Sequence, residues 1–281
     1  MRIIELSEKG REFIRKECNG NGKTKLSGKN KYVLPFCSPT TSPDKVWTSN
    51  PEINGGITTD AELAEALIRI YNKYAKIYKM DANILATQAY QESAFIIWNY
   101  APSPSSASGI SQFLTGTIYE IIITNVYGEF TIAERQAISK NMIGYTFSVD
   151  PLPPKTPYLI GNDLGKQNRP IIFQNIIDNP DIMIKAQFVY MKRISKKCGN
   201  LASCTLFGYN RGPGYVKSSS YSQAIYFASK NIKTENYEYE GINYVYQIFK
   251  ILYENFGPKY KKLNITKDAA KNFDEFNGNL A

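Results

Sequence analysis

The chain has 281 residues, 43% of them hydrophobic, a formal net charge of +9 and no histidine. It is long enough for one large domain or two small ones. The lack of histidine excludes Ser-His-Asp and Cys-His catalysis and the usual His-bearing catalytic zinc sites, and it leaves carboxylate chemistry open. The basic balance suits an anionic partner such as nucleic acid, a membrane or a cell wall, and equally a chain whose lysines only keep it soluble. The charge is spread, and a cluster such as Lys259-Tyr260-Lys261-Lys262 is too short for a nucleic-acid arm, so no nucleic-acid partner is expected. Cys18, Cys37, Cys198 and Cys204 form no CxxC pair, and no metal or cofactor is expected. Cys198 and Cys204 flank a short loop and fit either a disulfide or two buried thiols. No long apolar run follows Met1 and no stretch approaches 18 apolar residues, so neither a signal peptide nor a membrane span is predicted.

In chain order, residues 3–17 read as a short amphipathic helix, and residues 18–56 as an irregular stretch pinned to a core by Phe36 and Trp47. From Thr59 or Asp60 a helix is predicted, with Leu63, Leu67, Ile70, Tyr74 and Ile77 at helical spacing. Asp81 is the expected cap of the next helix, Ala82 to about Ile97. There Leu85, Ala89 and Glu92 share a face, an odd place for a carboxyl unless it is paired or functional. Residues 101–108 read as loop, Gly109 to about Val126 as a helix capped by Ser108, and 131–144 as another helix. The prolines at 151, 153, 154, 157 and 170 make 148–170 a non-helical insertion. Helices follow at 181–196, with Ile184, Phe188, Met191 and Ser195 on one face, then at 202–209 with a stop at Gly212-Pro213-Gly214, at Tyr221–Lys230 and at Gly241–Asn255. The expected class is mainly α. Its parts are an N-terminal extension (1–58), a main helical domain (59–257) and a polar tail (258–281).

Three segments carry chemistry: Gln91-Glu92-Ser93-Ala94-Phe95, Ala107-Ser108-Gly109-Ile110-Ser111-Gln112-Phe113, and Gly208-Tyr209-Asn210-Arg211-Gly212-Pro213-Gly214. Glycoside cleavage needs an acid to protonate the leaving oxygen, and a glutamate on a partly apolar helix face keeps its proton near neutral pH. Glu92 fits that role. Gly109 permits a close backbone approach, and Ser108, Ser111 and Gln112 are polar groups suited to acetamido and hydroxyl groups of a sugar. Tyr209 is expected to hold the Glu92 carboxyl through its hydroxyl, and Asn210 to tie the turn or bond a sugar.

The order Glu92-Ser93, Gly109-Ile110-Ser111-Gln112 and Tyr209-Asn210-Arg211-Gly212-Pro213-Gly214 resembles the soluble lytic transglycosylase family, a relative of goose-type lysozyme. Its pattern is Glu-Ser, Gly-x-x-Gln and Ala-Tyr-Asn-x-Gly-Pro-Gly, and the likeness covers residues 75–230. The resemblance implies a lysozyme-like, mostly helical fold and bacterial peptidoglycan as substrate. It further implies Glu92 as the one catalytic acid/base, with Ser93, Ser108, Gly109, Ser111, Gln112, Tyr209 and Asn210 lining the substrate. In that family the substrate's own acetamido group assists and a 1,6-anhydromuramyl end results. Gly208 stands where that family usually has Ala, and Ser111 where Met is common. The N-terminal run Leu6–Glu17 is similar to the opening of phage-type muramidases, but Cys18-Asn19-Gly20 does not continue that family's hairpin, so Glu17 is read as outside the site.

With no leader in view, the expected setting is a phage virion or tail, or a host cytoplasm from which an endolysin is released, with other virion proteins as partners. Two alternatives stay open. One is a goose-type muramidase that hydrolyses the same bond, with Asp150, Asp163 or Asp178 as the base. The other is a non-catalytic wall-binding or tail structural protein.

Overall fold

A computed structural model describes residues 60–93, 107–149, 167–216 and 237–256. The expected elements at 3–17, 18–56 and Tyr221–Lys230, the proline cluster at 151–157 and the tail lie outside the described residues, as do Cys18, Cys37, Asp150 and Asp163. What is described is mainly helical, with a single isolated bridge, Ser108 to Phe113, and no strand.

The first helix, α1, spans Asp60–Tyr78 and buries Leu67, Ile70, Tyr71, Tyr74 and Tyr78. The expected cap at Asp81 holds: its Oδ1 accepts from the Asn83 backbone N–H at 2.8 Å and that of Ile84 at 3.4 Å. The helix it starts, α2, is Ala82–Ser93. Residues 109–112 are not helical, contrary to the expectation from Gly109 onward. Gly109 and Gln112 both take positive φ (73° and 46°), and Ser108 pairs its backbone with Phe113 rather than capping a helix. The helix starts later, as α3 (Thr115–Ile118), capped by the backbone of Leu114 alone, and runs into a π-helical turn over Tyr119–Ile123. A wide i→i−5 turn has no distinctive periodicity over five residues, which is why it escapes a reading of apolar spacing.

The helix expected at 131–144 is shorter. It is α4 (Ile132–Ser139), opened by a reciprocal capping box between Thr131 and Glu134. Arg135 is buried on it, and its guanidinium is satisfied by the carbonyls of Ile123, Ser148 and Val149. Pro170 does not belong to a helix-free stretch. It sits in the first turn of α5 (Arg169–Asp178), where a missing N–H is harmless. Pro180 opens α6 (Pro180–Lys197) in the same way, and Ile184, Phe188, Met191 and Ser195 are all buried, as their spacing predicts. Cys198 and Cys204 are joined in a disulfide across the corner from α6 to α7 (Ala202–Arg211). The last described helix, α8, is Tyr237–Phe256.

The packing that matters for the site is α1 on α6, and α8 on both α2 and α7. Two glycines set the close approaches. A Cβ on Gly241 of α8 would lie 2.6 Å from the Phe207 ring of α7. One on Gly208 would lie 2.4 Å from Val216, which explains glycine where the resembled pattern has alanine. With these contacts α8 lies against the end of α2 that carries Glu92.

Candidate functional site

Glu92 is the penultimate residue of α2 and is half-buried. It opens on a cleft of about 430 Å3 to which several elements contribute. The turn after Gly109 supplies Gln112, Phe113 and Leu114; α6 supplies Tyr190; α7 supplies Tyr209, Asn210 and Arg211; and α8 supplies Glu240. Phe113, Tyr190 and Tyr209 form a triangle of rings with centroids 5.5–5.6 Å apart, so one side of the cleft is rigid and aromatic.

The Glu92 carboxyl is held by a residue that the three motifs did not include. The Tyr244 hydroxyl, from α8, donates to Glu92 Oε1 at 2.5 Å. Burial pushes the Glu92 carboxyl from its ordinary 4.5 up to about 7; the Tyr244 bond opposes the rise, and the charge of nearby Glu240 adds to it. The rise moves the carboxyl toward holding its proton at neutral pH, as a general acid requires. The Tyr244 hydroxyl is itself pushed well above its ordinary value, by burial first and the Glu92 charge second, so it stays a neutral donor.

Tyr209 is beside Glu92 but its hydroxyl goes elsewhere. It donates to the Ser111 backbone carbonyl at 2.7 Å, tying α7 to the glycine turn. The role of holding the carboxyl, expected of Tyr209, falls in this geometry to Tyr244. Replacing Tyr209 by Phe leaves a buried carbonyl without its donor, which costs about 1–2 kcal/mol. The expected outcome is a lower denaturant midpoint, with turnover reduced less than in a Tyr244→Phe protein measured alongside it.

The other expected site residues divide into two groups. Gln112, Asn210 and the Tyr209 ring line the cleft with Glu92. Gln112 bends its side chain so that Nε2 donates to the Gly109 carbonyl at 2.9 Å, which stiffens the turn. Asn210 keeps Oδ1 buried with no hydrogen-bond partner among the described residues. Ser93, Ser108 and Ser111 are buried and turned into the protein. The Ser93 hydroxyl lies 2.9 Å from the Ile110 carbonyl and 3.1 Å from that of Ala89, so it fastens the turn to α2. Ser108 donates its backbone N–H to Phe113, and the Ser111 hydroxyl faces Gln187. Asp178, one of the carboxylates considered as a base, accepts from Gln174 and lines a separate hollow between α4 and α6.

Tyr244 and Glu240 had no motif to mark them. They sit one helical turn apart on α8, where a tyrosine at apolar spacing reads as core. Only the prediction that α8 packs on α2 brings Tyr244 within reach of Glu92.

Fold and cleft together define a class: a mainly helical protein with one carboxyl raised by burial at the edge of an aromatic, polar groove. No protein-family model matches the chain, and none of the curated proteins matches it.

Proposed function

We propose that the protein cleaves the β-1,4 bond between N-acetylmuramic acid and N-acetylglucosamine in bacterial peptidoglycan, as a lytic transglycosylase. The observation that carries this is Glu92, whose carboxyl is raised to about 7 and oriented by Tyr244 at the mouth of the cleft. In the protonated form it gives its proton to the leaving oxygen. The neighbouring acetamido oxygen of the substrate meets the positive charge at C1. The Glu92 carboxylate then accepts the proton of the C6 hydroxyl as that oxygen closes the 1,6-anhydro ring, so one residue serves both steps.

Other features support a glycan. The cleft volume falls in the range of ligand sites, and its aromatic rings suit the C–H faces of sugars. The unpartnered Asn210 Oδ1 is an acceptor for an amide N–H such as an acetamido group carries. The Cys198–Cys204 disulfide suits work outside a reducing cytosol, such as a virion-borne or released lysin acting on a wall. No described helix is long and apolar enough to cross a membrane.

Hydrolysis by water is the second reading, and Glu240 favours it. This carboxylate lines the same cleft and acts on the charge of Glu92, although it also pairs with Arg211 at 3.5 Å. Mass spectrometry of muropeptides released from purified sacculi decides. Anhydromuramyl ends are expected. Products heavier by one water establish a muramidase, and wall binding with no release establishes a non-catalytic protein.

A further inference from the structure

Arg211 is the last residue of α7 and, among the described residues, the one cation that lines the cleft with Glu92 and Glu240. Three contacts place it. Its stem lies under α8 at Gly241, where an added Cβ would come within 2.7 Å of Arg211 Cγ. Its guanidinium lies over the Tyr215 ring, 5.4 Å from the centroid. Its Nη1 lies 3.5 Å from Glu240 Oε2. The ring contact follows from the helix stop. Gly212 takes a φ of 95°, which side chains disfavour, and the Tyr215 N–H donates to the Gly212 carbonyl at 3.0 Å, so the chain turns back and sets Tyr215 against Arg211.

These contacts differ in strength. Stem and ring fix the side chain, which keeps only 12% of its exposure. Glu240 is 61% exposed, and its 3.5 Å separation is longer than the about 2.7–2.9 Å of a charge-assisted hydrogen bond. An exposed pair of this kind is weak. A planar guanidinium suits carboxylates, and a ligand carboxylate that reached it in the cleft would be better shielded from water than Glu240 is.

We propose that Arg211 determines specificity: it selects glycans that carry a carboxylate beside the bond presented to Glu92, and Glu240 is the weak internal counter-ion that such a carboxylate displaces. This rests on the glycan-cleaving reading, in which muramic acid alternates with N-acetylglucosamine. Muramic acid bears a lactyl carboxyl, which is free where no peptide is attached. A peptide stem, where attached, brings carboxylates of its own. A glycan of N-acetylglucosamine alone has neither.

The test is binding, measured by titration calorimetry with the full chain carrying Glu92→Gln, which keeps the ligand whole. The probes are two tetrasaccharides of alternating N-acetylglucosamine and N-acetylmuramic acid, one without peptide and one with peptide stems, each as the free acid and as its methylamide. The free acid is expected to bind about 10-fold more tightly than the methylamide, the scale of one hydrogen bond to a charged group. A preference in the peptide-free pair assigns the carboxylate to the lactyl group, and a preference confined to the other pair assigns it to the stem.

Adding Arg211→Gln is expected to bring acid and methylamide together. Adding Glu240→Gln instead removes the competitor and is expected to widen the gap by roughly two- to fivefold, the scale of an exposed ion pair. An arginine that only packs leaves both gaps unchanged, and the Glu240→Gln arm carries the test if Arg211→Gln does not fold. Equal binding of acid and methylamide in both pairs, a gap that survives Arg211→Gln, or a gap that Glu240→Gln fails to widen overturns the proposal. Glycans bound without regard to charge sink this inference alone, whereas failure of every glycan to bind removes the glycan reading with it. A charge preference in a protein whose wild type leaves sacculi intact keeps the role of Arg211 and removes the cleavage.

Discussion

Glu92→Gln is expected to reduce the release of muropeptides by roughly 10²- to 10⁴-fold, the contribution of a positioned general acid, while the protein remains folded. The amide matches the carboxyl in size, and its oxygen still accepts from Tyr244, so geometry is kept and only the transferable proton is lost. The same variant has a second, opposite consequence. The carboxyl titrates near 7 in the folded chain and near 4.5 when unfolded. Between those values the folded state holds a proton that the unfolded state has released. The stability this contributes is complete below the unfolded value and is lost as pH rises through the folded one. A glutamine carries no such loss. Glu92→Gln is therefore expected to match the wild type in acid and to exceed it above neutral pH by at most about 3 kcal/mol. Denaturant midpoints on either side of that window check this. A wild type as stable as the variant at alkaline pH means that Glu92 titrates normally and is not poised as an acid.

Such a gain in stability on removing a functional group belongs to sites where the fold tolerates a group it would not otherwise bury. The rest of the molecule supplies the means. Four tyrosines, the buried Tyr71, Tyr209 and Tyr244 and the partly buried Tyr190, lie around the Glu92 end of α2 or beneath it, each with its hydroxyl pushed above the ordinary value by burial. In a chain without histidine, neutral phenols are among the groups able to orient a carboxyl without adding charge.

What the sequence made legible follows from where the information is local. Asp81 caps α2 because a carboxylate can reach N–H groups two and three residues on, and the α6 face is apolar because burial repeats with the helical period. The cleft membership of Glu92, Gln112, Tyr209 and Asn210 was readable because each lies in a short segment whose turn or helix stop is encoded nearby. What was not legible depends on packing. Ser93, Ser108 and Ser111 are polar members of the motif segments, yet Ser93 faces inward from the end of α2 and the turn at Gly109 buries the other two, and no spacing reports that. Pro170 reads as a breaker unless its position at a helix start is known. The exchange of partners between Tyr209 and Tyr244 is the largest case. Tyr244 meets Glu92 through the packing of α8 on α2, while Tyr209 bonds the Ser111 carbonyl, and neither contact is encoded near either tyrosine.

That exchange makes Tyr244→Phe the most informative single substitution after Glu92 itself. The ring is kept and the hydroxyl is lost, so packing among α2, α7 and α8 persists. Glu92 then loses the one contact that opposes the effect of burial, and its midpoint rises above about 7. The direction for activity follows from the role assigned to the carboxyl. An acid works while protonated, so the alkaline limb of the pH–rate profile is expected to move upward by about one pH unit. Turnover at the optimum moves the other way. An acid no longer held by a 2.5 Å bond samples orientations that miss the leaving oxygen, and a loss of roughly 10- to 100-fold is expected. The two effects oppose each other, so the variant comes nearest the wild type at high pH and trails it most below neutral pH, where both acids are protonated. A pH–rate profile of Tyr244→Phe on purified sacculi separates the possibilities. A uniform loss with an unmoved alkaline limb means the tyrosine only packs, and full activity with an unmoved limb means the carboxyl is oriented by something else.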